Sequence, residues 1–198
     1  MRFLSILCNL LVGQFCWSQQ EIKTYYDESK IRINEIYQIA WEDTVLLQGS
    51  YKKFDIEGNL IIEGKYDNNL RTGTFIKYYP NGTIQRISNY EKGLKEGVTL
   101  VYNTEGVLIQ EALFKQDSLF GEVKLYHHSG KVKGSSKFKG GNPEGLVTTY
   151  HVNGNKKEEI IYSSGKPNGL VKQYYETGNI MLEANYKNGL LDLSLIHI

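Results

Sequence analysis

The chain has 198 residues, with 23 Lys and Arg against 22 Asp and Glu, and only two cysteines. A charge balance this even argues against nucleic acid or an anionic membrane as a partner selected by bulk electrostatics. Cysteine this sparse excludes a disulfide-based scaffold.

Residues 1–18 predict an export signal peptide. Arg2 provides a positive charge, and residues 3–12 (FLSILCNLLV) provide an apolar segment too short to span a bilayer. The small side chains of Cys16 and Ser18 predict cleavage after Ser18, which would remove both cysteines. We therefore expect an exported protein of the periplasm, the cell surface or the extracellular space. The alternative is a buried apolar N-terminal helix.

Residues 19–48 precede a repeated pattern and do not follow it. Within them, residues 31–40 (IRINEIYQIA) predict a strand that pairs with the first repeat. A non-standard end unit is typical of repeat arrays, because it covers the terminal edge. We interpret this segment as an N-terminal cap rather than a separate domain.

Residues 49–192 contain six copies of a 24-residue unit, which we call units 1 to 6, without an insertion or deletion. We count positions within a unit from its first glycine, which is position 0. Position 0 is Gly49, Gly73, Gly97, Gly121, Gly145 and Gly169, and position 5 is Phe54, Tyr78, Tyr102, Tyr126, Tyr150 and Tyr174. Position 9 is Gly58, Gly82, Gly106, Gly130, Gly154 and Gly178, and position 17 is Tyr66, Tyr90, Phe114, Phe138, Tyr162 and Tyr186. Position 20 is Asn69, Gly93, Asp117, Gly141, Gly165 and Gly189. A fixed internal period is the signature of a repeat architecture.

The unit predicts two turns. Gly, Asn and Asp tolerate a left-handed backbone, so we expect positive φ at positions 9 and 20. Asn81 and Asn153 precede position-9 glycines, which is a strong hairpin signal. Pro80, Pro143 and Pro167 are expected in turns, where a fixed φ is useful. The sequence therefore predicts an all-β fold, an elongated antiparallel meander of about twelve short strands from six β-hairpins, in a single open twisted sheet.

Alternation along the second strand of each unit predicts two different faces. Positions 11, 15 and 17 are expected on a packed face, with the aromatic columns as most of the core. A platform that stacks a ligand is the alternative for these rings. Position 14 is expected on the opposite, solvated face, so that Tyr126 belongs to the core and Glu111 to the wet face. The candidate partner-binding face consists of Glu63, Glu111, Glu159 and Glu183.

The sequence contains no arrangement typical of an active site. His127 and His151 hold the same position in adjacent units, and we expect them about 9–10 Å apart, too far for one metal ion. Gly141 and Gly145 flank a proline but lack the Lys-Ser/Thr ending and the helix of a phosphate loop. No nucleophile elbow is present. We therefore expect a protein that is not an enzyme, with no metal, cofactor or catalytic residue.

Residues 78–97 (YYPNGTIQRISNYEKGLKEG) resemble the variant MORN repeat in their spacing of tyrosines and glycines. Bacterial proteins of this type are commonly described as YwqK-family toxin–antitoxin components. The resemblance covers residues 49–192 and implies a hairpin array used as a protein-binding scaffold, and membrane-lipid contact is also proposed for MORN repeats. We expect a secreted or envelope-associated scaffold that binds a macromolecular partner, a protein, in an antitoxin-like, immunity-like or assembly role. The alternative is attachment to membrane lipid or cell-wall glycan through turn lysines and exposed tyrosines.

The repeat register requires a glycine at residue 193, where the chain has Leu193. We expect residues 193–198 (LSLIHI) to be a non-native tail, because codons for them match a transposase adaptor used in sequencing libraries. The alternative is a short apolar strand that caps the array.

Overall fold

The computed structural model describes residues 19–40 and 43–197 and shows one antiparallel sheet of 16 strands. Strands that follow each other in the chain are neighbours in the sheet, and the sheet is not closed. The predicted all-β meander of about 24-residue repeats is confirmed. The predicted signal peptide, residues 1–18, lies outside the described residues.

The strand bounds follow the 24-residue period through most of the chain. The strands are β1 (Gln19–Tyr25), β2 (Ile33–Ala40), β3 (Asp43–Phe54), β4 (Leu60–Asp67), β5 (Leu70–Tyr78), β6 (Ile84–Glu91), β7 (Leu94–Tyr102), β8 (Leu108–Lys115), β9 (Ser118–Tyr126), β10 (Val132–Lys139), β11 (Asn142–Pro143), β12 (Gly145–Tyr150), β13 (Lys156–Ser163), β14 (Lys166–Tyr174), β15 (Ile180–Lys187) and β16 (Leu190–His197). Both β11 and β12 pair with β10, so together they take the place of one repeat strand.

The N-terminal cap extends the sheet. β2 pairs with β3, with Tyr37 opposite Tyr51, as expected for a strand within residues 31–40. β1 pairs with β2 in turn. The sequence pattern does not predict β1, because its segment QQEIKTY is largely polar and lacks a clear alternation.

The turn at position 9 is a type I turn closed by a left-handed glycine. Gly82 has a φ of 80°, and its N–H donates to the carbonyl of Tyr79 at 2.9 Å. The N–H of Tyr79 donates to the carbonyl of Thr83 at 2.8 Å. The Asn-Gly signal at Asn81 therefore marks a three-residue hairpin loop rather than the two-residue kind.

The turn at positions 19 and 20 is a type I′ turn, with two successive residues of positive φ. In unit 1 these are Asn68 at 49° and Asn69 at 65°. The positive φ predicted for positions 9 and 20 is confirmed in all six units. Position 19 shares it although residues such as Lys92 and Gln116 stand there, so composition alone does not reveal it.

The glycine at position 0 lies where the strand register shifts. Gly73 has a φ of 67°, and a Cβ there would meet nothing within 4 Å, so the backbone conformation rather than space requires glycine. In every unit this glycine lies directly opposite the position-17 ring. The six pairs are Gly49–Tyr66, Gly73–Tyr90, Gly97–Phe114, Gly121–Phe138, Gly145–Tyr162 and Gly169–Tyr186. The glycine at position 0 and the aromatic residue at position 17 therefore recur together because they form one cross-strand pair.

Positions 2, 15 and 17 share one side of the sheet, which we call the front face. Positions 2 and 15 of successive strands form a row across it, which we call the buried row: Tyr51, Gly64, Phe75, Ser88, Thr99, Ala112, Val123, Ser136, Val147, Ile160, Val171 and Ala184. Seven of these residues are buried, whereas Tyr51, Gly64, Ser136, Val147 and Ile160 are half-buried. Ala112 is 1% exposed, Ser88 2% and Phe75 6%. The rings at positions 5 and 17 are only half-buried. The prediction that the two aromatic columns form most of the core is therefore wrong, because the deepest places belong to this row.

Positions 3, 5, 11 and 14 lie on the opposite side, the back face. The expectation that position 11 shares a face with positions 15 and 17 is wrong. Tyr78 pairs with Ile84, but its neighbour Lys77 pairs with Arg86. The second strand therefore has one extra residue between Ile84 and Arg86, a β-bulge that moves Ile84 to the face opposite Arg86. The same shift occurs in all six units.

Pro80 occupies a turn as predicted, whereas Pro143 and Pro167 lie in strands. They pair with Phe138 and Tyr162 and lie two residues after the type I′ turn. In a hairpin with a two-residue turn, the second residue pair counted from the turn is not hydrogen-bonded. A proline at that place therefore removes no hydrogen bond between the two strands.

The N–H at this place in the strand can bond to the side chain at position 20 of the next unit. The corresponding N–H of Lys95 donates to Oδ1 of Asp117, at position 20 of the next unit, at 2.7 Å. The next units after Pro143 and Pro167 have Gly165 and Gly189 at that position, which carry no side-chain acceptor.

Candidate functional site

The four glutamates of the candidate partner-binding face lie in one row on the back face. The tyrosine at position 5 of the next unit donates a hydrogen bond to three of them. The pairs are Tyr78–Glu63 at 2.5 Å, Tyr126–Glu111 at 3.0 Å and Tyr174–Glu159 at 2.6 Å. The fourth, Glu183, forms an ion pair with Lys172 at 2.9 Å. The expectation of a freely solvated carboxylate face is wrong, and so is the placing of Tyr126 and Glu111 on opposite faces.

The surroundings of these tyrosines keep the phenol protonated. Burial, followed by the bond to Glu63, raises the pKa of Tyr78 to about 12. The bond to Glu159, followed by burial, raises the pKa of Tyr174 to about 12. Lys156, and then Tyr174, lower the pKa of Glu159. The phenol is therefore the donor. These Tyr–Glu hydrogen bonds, which we call rungs, link adjacent units, so the glutamates that accept them are not free charges.

The type I turns form one rim of the sheet, and side chains at position 6 bridge its units. Nε2 of His127 contacts the carbonyl oxygen of Tyr150 at 3.0 Å, and Nε2 of His151 contacts that of Tyr174 at 2.9 Å. A carbonyl oxygen only accepts, so each Nε2 carries a proton and donates. The hydroxyl of Tyr79 donates to Tyr102 in the same way at 2.9 Å. The two histidines are thus structural bridges, as expected for polar turn-flanking positions.

The type I′ turns form the other rim and are joined by main-chain bonds. In units 2 to 6 the N–H at position 20 donates to the carbonyl two residues after the preceding type I′ turn, and in unit 1 it donates to the carbonyl of Leu47 in β3. The bonds are Asn69–Leu47, Gly93–Arg71, Asp117–Lys95, Gly141–Leu119, Gly165–Pro143 and Gly189–Pro167, at 2.8 to 3.1 Å. Both rims therefore fix the spacing of neighbouring units.

The front face of units 1 and 2 carries a cluster of four rings. Tyr51, Tyr66, Phe75 and Tyr90 follow one another edge to face, with centroids 5.2 to 5.5 Å apart. The guanidinium of Arg71 lies 5.1 Å from the Phe75 centroid and 5.3 Å from that of Tyr90. Its Nη1 also donates to the Tyr90 hydroxyl at 3.2 Å. The rings therefore hold one cation in a defined place on an otherwise open surface.

A shallow depression of about 120 Å³ lies beside this cluster. Its lining includes Arg71, Phe75, Ser88 and Tyr90, together with the Lys77–Arg86 pair on β5 and β6. None of these three cations stands out in the sequence. Only the strand register could have identified them, because it shows that positions 4 and 13 are direct neighbours on adjacent strands.

Two larger depressions lie near the type I rim between later units. One, of about 400 Å³, is lined by residues that include His127, Lys133 and Glu158. The other, of about 450 Å³, is lined by residues that include His151 and Tyr175. Within the residues described, no cluster of three or more His, Cys, Asp or Glu could hold a metal ion. The described residues contain no helix that is long and apolar enough to cross a membrane.

A comparison with known families matches three segments of the chain to the family described as MORN repeat variant: residues 71–92, 121–139 and 167–188. No curated protein matches the chain. Two of the segments begin two residues before a position-0 glycine and end at position 19, so each spans one unit almost completely. MORN repeats are generally associated with protein scaffolding or with binding to membrane phospholipids. Three of the six units of this chain are therefore similar to the MORN repeat variant.

Proposed function

We propose that this protein is an exported or envelope-associated scaffold whose repeats bind a macromolecular partner, a protein. The observation that carries the proposal is the front face. Its buried row leaves rings, cations and shallow depressions open along a sheet that no second layer covers in the described residues. A surface of this kind suits an extended partner rather than a small substrate. The protein is accordingly not an enzyme in this proposal.

Export is supported by the sequence of residues 1–18 alone. Mass spectrometry of the protein from the envelope and the medium tests it. We expect a mature N-terminus at Gln19, and an intact N-terminus in the cytoplasmic fraction would contradict export.

Binding is tested with the immobilised mature chain. Envelope and secreted proteins, vesicles of phosphatidylcholine with phosphatidylglycerol, and purified cell-wall glycan are offered separately. We expect one protein to bind saturably and to be displaced by soluble chain. Retention by vesicles or glycan alone would contradict the scaffold role and favour the attachment role.

The attachment role has its own support on the surface. Nζ of Lys95 lies 4.8 Å from the Phe114 centroid, and Nζ of Lys115 lies 5.5 Å from that of Phe120, a ring that is 44% exposed. A cation beside an exposed ring suits an interface between water and lipid or sugar. Binding to anionic vesicles that disappears in high salt would favour this function.

An antitoxin- or immunity-like role is the narrower form of the scaffold proposal. An exported protein would meet a toxin in the envelope rather than in the cytoplasm. Co-expression with a toxin encoded beside it should restore growth only when the signal peptide is kept. Equal protection without the signal peptide would contradict a role in the envelope.

A further inference from the structure

We propose that the depression around Arg71, Lys77 and Arg86 is a carboxylate-binding subsite for an extended acidic peptide segment of the partner. This inference rests on the proposed scaffold function and adds to it the chemistry of the partner and the place where it binds.

Lys77 and Arg86 are two like charges on neighbouring strands. They lie directly opposite each other on β5 and β6, on the front face. Like charges in directly opposite places destabilise a sheet. Neither side chain forms an ion pair with any carboxylate in the described part of the chain, although five other lysines do so there. A bound anion would relieve this repulsion.

Arg71 supplies a third cation that is already positioned. Its guanidinium is held over Phe75 and Tyr90 and bonded to the Tyr90 hydroxyl. A guanidinium has five N–H donors in a fixed fork, so others remain for a ligand. A cation fixed before binding loses less side-chain entropy on binding than a free lysine does.

The size and floor of the depression select the ligand. About 120 Å³ is small even beside ordinary ligand pockets, which begin at roughly 300 Å³. One anionic side-chain group fits this space, whereas a whole nucleotide or sugar chain does not. Phe75 and Ser88 are buried to 6% and 2% exposure, so the ligand meets a base of one ring and one serine between cationic walls.

The rest of the front face favours a peptide over a membrane. Along positions 4 and 13, the cations of Lys77 and Arg86 are followed by Val101 and Gln110, and later by Glu158. A chain lying across the strands would therefore meet positive, neutral and then negative charge in a fixed order. A planar anionic surface gains nothing from such an order, and the whole chain has a net charge of only +1.

The test uses a fluorescein-labelled octapeptide of alternating glutamate and alanine, with its glutamine and lysine counterparts as controls. One variant combines Arg71→Gln, Lys77→Gln and Arg86→Gln. The matched control variant removes three exposed positive charges from the back face, with Lys52→Gln, Lys65→Gln and Lys137→Gln. Fluorescence anisotropy with the full mature chain gives the affinity of each.

The glutamate peptide should bind the unmodified chain and the back-face variant alike. The front-face variant should bind it about tenfold more weakly, the sum of three modest charge contacts. Equal losses in the two variants, or no binding to the unmodified chain, would overturn the subsite. So would tighter binding of the same site to phosphatidylcholine–phosphatidylglycerol vesicles than to the peptide, which would assign it to lipid.

Two further measurements keep the result interpretable. Thermal unfolding of Lys77→Gln should occur at the same or a slightly higher temperature than in the unmodified chain, because the opposed like charges are gone. A large decrease would contradict the repulsion argument. A captured protein partner that binds the front-face variant unchanged would refute the subsite while leaving the scaffold function intact.

Discussion

Units 1 and 2 fill the buried row with rings, whereas units 5 and 6 fill it with aliphatic side chains. In unit 1, Tyr51 faces Gly64, and Phe75 of unit 2 lies so close that a Cβ on Gly64 would come within 2.6 Å of its ring. In unit 5, Val147 faces Ile160. The large ring at position 2 faces Gly64 in unit 1 and Ser88 in unit 2, whereas Val at position 2 faces Ser136, Ile160 or Ala184 in units 4 to 6. A ring at position 2 is therefore matched by a small residue at position 15, whereas Val is compatible with a range of sizes there.

The largest expected effect is at the ring end of the row. Phe75→Ala should destabilise the fold by about 3–5 kcal/mol through lost burial and a cavity. Val171→Ala, at position 2 of unit 6, removes less apolar surface and should cost about 1.5 kcal/mol. Urea denaturation measures both. Equal costs would show that the row is not packed more heavily in units 1 and 2.

The close contact between Gly64 and the Phe75 ring can be tested directly. Gly64→Ala should cost about 1–3 kcal/mol, because the new methyl group overlaps the Phe75 ring. Adding Phe75→Val should recover part of that cost, since it creates the pair that already lies between units 3 and 4 as Ala112–Val123. Costs that simply add in the double-mutant cycle would contradict direct contact.

A smaller effect distinguishes the tyrosines of the back face. Tyr174→Phe should destabilise by about 1 kcal/mol, since it removes the hydrogen bond to Glu159. Tyr150→Phe, in unit 5, should change stability by less than about 0.5 kcal/mol, because position 14 of the preceding unit is Ser135 rather than a glutamate. Equal effects in the two variants would show that the rung contributes nothing specific.

The smallest effect is the pH dependence of the same rung. The pKa of Tyr174 is raised in the fold to about 12, so its stabilisation is complete below the ordinary value of 10.0 and is lost as pH rises from there. The pKa of Glu159 is lowered, so its stabilisation is present above 4.5 and is lost as pH falls below it. The cost of Tyr174→Phe should therefore be greatest at neutral pH and shrink in alkali. A cost that stays constant to pH 11 would contradict a donating phenol.

The repeat period, both turn columns and the meander could be predicted from the sequence, because glycines with positive φ and alternating strands leave direct signals. The face assignments could not. The extra residue before Arg86 is invisible in the columns, yet it moves Ile84 to the back face. The sequence pattern also missed position 2, because Tyr51, Thr99 and Val171 share a place but no chemical class.

The candidate site was harder to predict than the fold. The glutamates of position 14 stand out in the sequence as a charged column, but each accepts a bond or an ion pair from a residue in another strand. The three cations of the front face come from three different positions of the unit. Only the strand register brings them together.

The central claim is that positions 2 and 15 share one face across neighbouring strands. The Thr99 hydroxyl lies 3.3 Å from the Ser88 hydroxyl, and the two residues are paired on β6 and β7. In the mature chain, which has no other cysteine if residues 1–18 are removed, Ser88→Cys with Thr99→Cys should form a disulfide on mild oxidation. Ile87→Cys with Thr99→Cys places the thiols on opposite faces and should stay reduced. A disulfide in the second pair and none in the first would contradict the assigned faces.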